Sequence, residues 1–211
     1  MDIRFLHTSA ANKQLFKALA ATTLPTHSLT HLVREDFLQR AQQLENLDSL
    51  EDDIKSFILG QLADGADLIA CTCSTIGKSA ESASPNVIRV DRPMAEQAVR
   101  FNRVLVVMAL ESTAVPTADL LHEEAGKAGT EPNLEFLMVE NAWQHFMNGK
   151  TDAYCNAVAE AVNSHEGNSD AIVLAQASMY GATGKIDKEI PVLNSPDTFI
   201  TFLSGQAFIQ N

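Results

Sequence analysis

The sequence predicts an α/β fold: two similar lobes, each a parallel sheet in a three-layer αβα arrangement. Short apolar runs of strand length alternate with amphipathic stretches along the chain, and strand-then-helix alternation implies a parallel sheet covered on both faces. No low-complexity tract or proline-rich linker interrupts that alternation. Two segments also share a plan, ADLIACTCSTIG at 66–77 and SDAIVLAQASMYG at 169–181. Each has an Asp, an apolar strand, a short stretch of small and polar residues, and the start of a helix. Such a repeat fits two lobes that bring two strand ends to one cleft.

The elements follow in order. Ile3 to Leu6 is the first strand, and Thr8 and Ser9 after it can cap the first helix. Ser28 to Val33 is the second strand. Ser49 with Asp52 resembles a capping box and opens a helix with Ile54, Phe57, Ile58 and Leu62 on one face, closed by Gly65. Leu68 to Cys71, Val87 to Val90, Val104 to Met108, Leu134 to Val139, Ala171 to Leu174 and Val192 to Leu193 are the remaining strands. Trp143 and Phe146 read as core, as does Cys155, which shares helical spacing with Val158, Ala159 and Val162. Ser195-Pro196-Asp197 reads as a cap, a first-turn proline and an acid, opening a last helix with Phe199, Ile200 and Leu203. The expected lobes are residues 1–95 with 195–211, and 96–194.

Composition narrows the function. A formal net charge of −12 over 211 residues repels phosphate backbones and argues against nucleic acid. No apolar run approaches the ~20 residues of a membrane span. The start, MDIRFLHTSAANK, lacks the basic segment and apolar core of a signal peptide. Three cysteines form no framework of paired bridges, so a reducing cytoplasm is the expected compartment. HExxH, paired CxxC and phosphate-binding glycine motifs are absent, and no metal is expected.

Chemistry concentrates at strand ends, where parallel α/β sheets bind their ligands. Cys73, Ser74 and Thr75 fall where one strand ends and a helix begins. A thiol at a helix start meets N–H groups and the positive end of the helix dipole, which favour thiolate. Cys71, inside the apolar run, reads equally as strand filler. Thr8 and Ser9, then Ser112 and Thr113, offer hydroxyls after two other strands. Gln176 and Ser178 occupy the matching place in the second repeat, and a glutamine there reads as a cleft-facing amide. His7 ends the first strand within reach of the same region.

Together FLHTSAANK, DLIACTCSTIG, VIRVDRPMAEQAV, VLVVMALESTAVPTADLL, AIVLAQASMYG and PVLNSP resemble the aspartate/glutamate/hydantoin racemase superfamily. The resemblance implies two lobes with pseudo-twofold symmetry, a site between them and no cofactor. It also implies a small carboxylate or amino-acid substrate, and a homodimer, which is common in that family. In those racemases one cysteine from each lobe works on opposite faces of the substrate α-carbon. Counting from Asp67 assigns the first cysteine to Cys73, while aligning the small residue before it assigns Cys71; Cys73 is taken and Cys71 kept as the second option. The second cysteine falls on Gln176, which is neither an acid nor a base near neutral pH. The resemblance therefore implies a thiol-based enzyme other than a standard two-cysteine racemase. The alternatives are a single-thiol decarboxylase and a carboxylate-binding protein without turnover.

Overall fold

The computed structural model describes residues 1–43 and 47–206. Among the described residues, eight strands form two four-stranded, wholly parallel sheets. The first contains β1 (Asp2–His7), β2 (Ser28–Val33), β3 (Leu68–Cys71) and β4 (Val87–Arg89), in the order β2-β1-β3-β4. The second contains β5 (Arg103–Met108), β6 (Asn133–Met138), β7 (Ala171–Leu174) and β8 (Val192–Asn194), in the equivalent order β6-β5-β7-β8.

The chain divides into two compact units. The first is Met1–Val90 with the residues from Phe199 onward, and the second is Asp91–Thr198. Residues 207–211, assigned above to the first lobe, lie outside the described residues.

Each sheet is covered on both faces, because successive strand residues point to opposite sides and both sides are apolar. In the first unit, Phe5 packs on Phe16 of α1 (Ala10–Thr23) and on Phe199 of α9 (Ser195–Gln206). On the other face, Leu6, Ile69 and Cys71 pack with Phe37 of α2 (Glu35–Gln43), Ile54 and Ile58 of α3 (Leu47–Ala63), and Ile76 of α4 (Ser74–Glu81). In the second unit, Val104, Val106 and Val173 meet α5 (Arg92–Ala98) and α6 (Ala114–Ala128). Leu105, Val107, Ile172 and Leu174 face Tyr154, Val158 and Val162 of α8 (Thr151–Ser164), which follows α7 (Ala142–Met147).

The repeat extends to hydrogen bonding. Asp67 Oδ2 accepts the Asp2 backbone N–H at 2.7 Å, and Asp170 Oδ2 accepts the equivalent Arg103 N–H at 3.0 Å. The Asp before each apolar run thus pins the start of the neighbouring strand.

Two expected helix starts are corrected. Ser49 lies inside α3, which is already helical at Leu47, so it is not a cap. The cap of α9 is Asn194 rather than Ser195: Asn194 Oδ1 accepts the Asp197 N–H at 2.8 Å, a bond that Ser195, as the first helical residue, leaves to its neighbour. Gly65 does close α3, with φ at +94°.

Candidate functional site

The strand ladders place the candidate residues. In the first unit Leu6 pairs with Cys71, and the Thr72 N–H donates to the Leu6 carbonyl at 2.9 Å. In the second, Val107 pairs with Leu174, and the Ala175 N–H donates to the Val107 carbonyl at 3.0 Å. Thr72 is thereby equivalent to Ala175, and the next residue, Cys73, to Gln176. Both are extended residues preceding a helical turn, at φ −114°, ψ 116° and φ −121°, ψ 132°. The register thus makes Cys73 the counterpart of Gln176 and Cys71 that of Leu174.

Cys71 is fully buried in the sheet, its Sγ 3.6 Å from the Cys73 carbonyl. Cys73 retains 8% exposure where β3 gives way to α4. Thr8 is buried after β1, and Ser9 caps α1 by accepting the Ala11 N–H at 3.2 Å. Ser74 and Thr75 form the first turn of α4 and are half-buried. The adjacency of β1 and β3 brings these residues of the first unit to one end of its sheet.

In the second unit, Ser112 and Thr113 lie in a 3-10 turn, Glu111–Thr113, that leads into α6. Gln176 opens a 3-10 segment, Ala177–Lys185, and is 7% exposed. Its Oε1 accepts the Ala109 N–H at 2.7 Å. A backbone N–H only donates, so this bond fixes which end of the amide is oxygen. The Gln176 NH₂ is left with no protein partner among the described residues.

Ser178 lies elsewhere: its Oγ is 3.0 Å from the Tyr154 hydroxyl, inside the core against α8. Burial raises the Tyr154 phenol well above its ordinary value. Cys155 is 2% exposed in the same core, and burial pushes its thiol up. No disulfide joins the cysteines.

The bonding of His7, its lowered titration and one depression had no signal in the sequence. His7 is fully buried, bonded to Thr72 and His31. Desolvation, with lesser contributions from His31 and Lys13, pushes His7 down to about 3. The third is a depression of about 450 Å³ at the ends of β5 and β6, lined by Ala109, Glu111, Met138, Val139, Glu140 and Asn141. Period-2 apolarity marks the strands but not which strands become neighbours, so these groupings had no local signal.

Among the described residues no His, Cys, Asp and Glu group is arranged to hold a metal ion, and no helix is long and apolar enough to cross a membrane.

No family model and no curated protein matches the chain. Solved structures do. Glutamate racemase from Francisella tularensis in complex with D-glutamate aligns over 99% of this chain and 81% of its own, at 11% identity and a TM-score of 0.76. The fold is that of the glutamate and aspartate racemases. The Picrophilus torridus aspartate racemase has the same racemase fold, over 98% of this chain and 94% of its own, at 16% identity and a TM-score of 0.71. Allantoin racemase from Klebsiella pneumoniae covers 100% of this chain and 89% of its own, at 17% identity and a TM-score of 0.66. The racemase fold accounts for the doubled sheet order.

Proposed function

We propose that the protein is a cofactor-independent enzyme acting beside the carboxylate of a small acid or amino acid, with Cys73 as its single working thiol. The observation that supports this reading is the ladder equivalence of Cys73 and Gln176. Racemisation needs a proton removed on one face of the α-carbon and one delivered on the other. A thiol can do either. The Gln176 amide can do neither, but its anchored NH₂ can donate hydrogen bonds to a carboxylate or enolate oxygen, stabilising charge that develops beside the reacting carbon.

In this reading the Cys73 thiolate takes the α-proton, the C–H electron pair moves into the enolate, and the thiol so formed returns a proton, to the α-carbon in simple exchange or to a neighbouring atom of the enolate in isomerisation. Thr8, Ser74, Thr75, Ser112 and Thr113 are the proposed hydroxyl partners of the substrate. The same observation favours a second reading, decarboxylation of a malonate-like acid. There the bond to the departing CO₂ breaks, its electron pair becomes the enolate, and Cys73 supplies the one proton required.

Solvent deuterium uptake and CO₂ release, followed on a panel of small carboxylic and amino acids, test both. Exchange without CO₂ supports the first reading and CO₂ release the second; Cys73→Ser abolishes either. Activity surviving in Cys73→Ser and lost in Cys71→Ser moves the role to Cys71. Thermal stabilisation by a carboxylate with neither reaction overturns catalysis in favour of binding; a ligand at ~100 times its Kd adds about 2.7 kcal/mol.

A further inference from the structure

We infer that His31, His7 and Thr72 form a one-way hydrogen-bond chain that fixes the turn carrying Cys73, which makes His7 a positioning residue for that thiol. Its functional meaning rests on the reading of Cys73 as the working thiol; its geometry does not. The chain crosses three adjacent strands, β2, β1 and β3. His31 Nδ1 lies 2.9 Å from His7 Nε2, and His7 Nδ1 lies 2.9 Å from Thr72 Oγ1.

Donor chemistry sets the direction. The Leu6 carbonyl only accepts, and the Thr72 hydroxyl donates its one proton there at 3.2 Å. Thr72 Oγ1 therefore accepts from His7 Nδ1–H. Neutral His7 then has a bare Nε2, which accepts from His31 Nδ1–H. Ring stacking holds the geometry, with His31 centred 4.9 Å from Phe5 and 5.2 Å from His7. The charged neighbours are cationic: Lys13 of α1 acts on both histidines and Lys17 on His31, while Phe16 of α1 flanks His7 with an apolar ring. A second proton on His7 would sit on Nε2 and face the His31 N–H, so the chain requires neutral His7.

The second unit shows that the fold does not need the chain. By the same ladders, Met108 stands for His7, Phe136 for His31 and Ala175 for Thr72. All three counterparts are apolar. Burying polar groups costs free energy that apolar residues avoid, yet the polar set is kept beside the thiol and missing beside Gln176.

Long-range ¹H–¹⁵N spectra of the wild type test the chain directly. The expected result is His7 as the neutral Nδ1–H tautomer between pH 5 and 8; the Nε2–H tautomer or a cation overturns it. Alkylation tests the positioning. A buried thiol reacts through local opening, so losing one net hydrogen bond accelerates Cys73 labelling about fivefold. His7→Met and Thr72→Ala, which install the second unit's residues, are expected to do this singly and no further when combined. Thr72→Ser is expected to retain the wild-type rate, and Cys155 serves as the control for global loosening. Unchanged Cys73 labelling, additive effects in the double variant, or equal acceleration at Cys155 overturns the inference. If turnover proves to depend on Cys71, the functional reading fails while the spectra and labelling still judge the chain.

Discussion

At the scale of single residues, three cysteines occupy three environments. Cys155 lies among Tyr154, Val158 and Met179, with burial raising its thiol. Cys71 is sealed in the sheet at 0% exposure, whereas Cys73 is 8% exposed at a helix start. Iodoacetamide at neutral pH is therefore expected to label Cys73 first, as read by peptide mass spectrometry. Prior labelling of Cys155 would contradict the site, and prior labelling of Cys71 would shift it by two residues.

Gln176 sets a second prediction. In the proposed reading it takes the place of a second thiol, and its amide oxygen accepts from Ala109. A positioned general acid or base contributes ~10²–10⁴-fold, so the wild type is expected to racemise aspartate, glutamate and hydantoins poorly. Gln176→Cys is expected to gain racemisation, followed by optical rotation of single enantiomers. Robust racemisation by the wild type would mean that another group supplies the second proton. Silence in both proteins would mean that the pocket differs at more than this residue.

At the scale of elements, the turn from β3 into α4 depends on a close approach. A Cβ on Gly77 would stand 2.7 Å from Arg89 Nε, and Arg89 is only 2% exposed. Helix propensity alone would favour Gly77→Ala by ~1 kcal/mol. Overpacking costs about 1–3 kcal/mol and is expected to dominate, because the close contacts fall on Nε, Cδ and Cζ of a buried side chain. The variant is expected to be destabilised by up to about 2 kcal/mol in urea titration; a gain would show that Arg89 yields.

The strands were the most legible part of the sequence. Ser28–Val33, Leu68–Cys71 and Ala171–Leu174 match the expected bounds end to end, because apolar runs stop at polar residues. The repeated Asp was legible as a pattern, although its cause, a bond to the neighbouring strand start, was not. Caps failed where they depend on how the chain enters the helix: Asn194 ends β8 and caps α9 at once. The candidate residues do follow strands, Thr8 after β1, Cys73 after β3 and Gln176 after β7. Their partners were not legible, since Ser178 bonds Tyr154 24 residues away and His7 bonds Thr72 65 residues away.

At the scale of the molecule, buried His7 and half-buried His31 tie stability to pH. His7 is held down to about 3 against an ordinary value of 6.5, and His31 is lowered in the same direction, each chiefly by desolvation. Between those two values for His7, the unfolded chain binds a proton that the folded chain refuses. Stability is therefore full above about pH 6.5 and falls as the pH drops toward 3. Carboxylates lowered by ion pairs, such as Asp36 and Asp170, also weaken the fold in acid, but their loss begins near the carboxylate range, at lower pH. The net charge of −12 acts in the opposite sense, since partial neutralisation relieves self-repulsion. Comparison with a variant separates these effects, because His7→Met leaves the carboxylates unchanged. One proton contributes a slope that rises to about 1.4 kcal/mol per pH unit below 6.5, or about 1.5 kcal/mol between pH 6.5 and 5. Urea titrations across that range are expected to show the wild type losing about this much more than His7→Met. Parallel stability curves for the two proteins would show that His7 takes up its proton in the folded state, and that the neutral chain to Thr72 does not persist in acid.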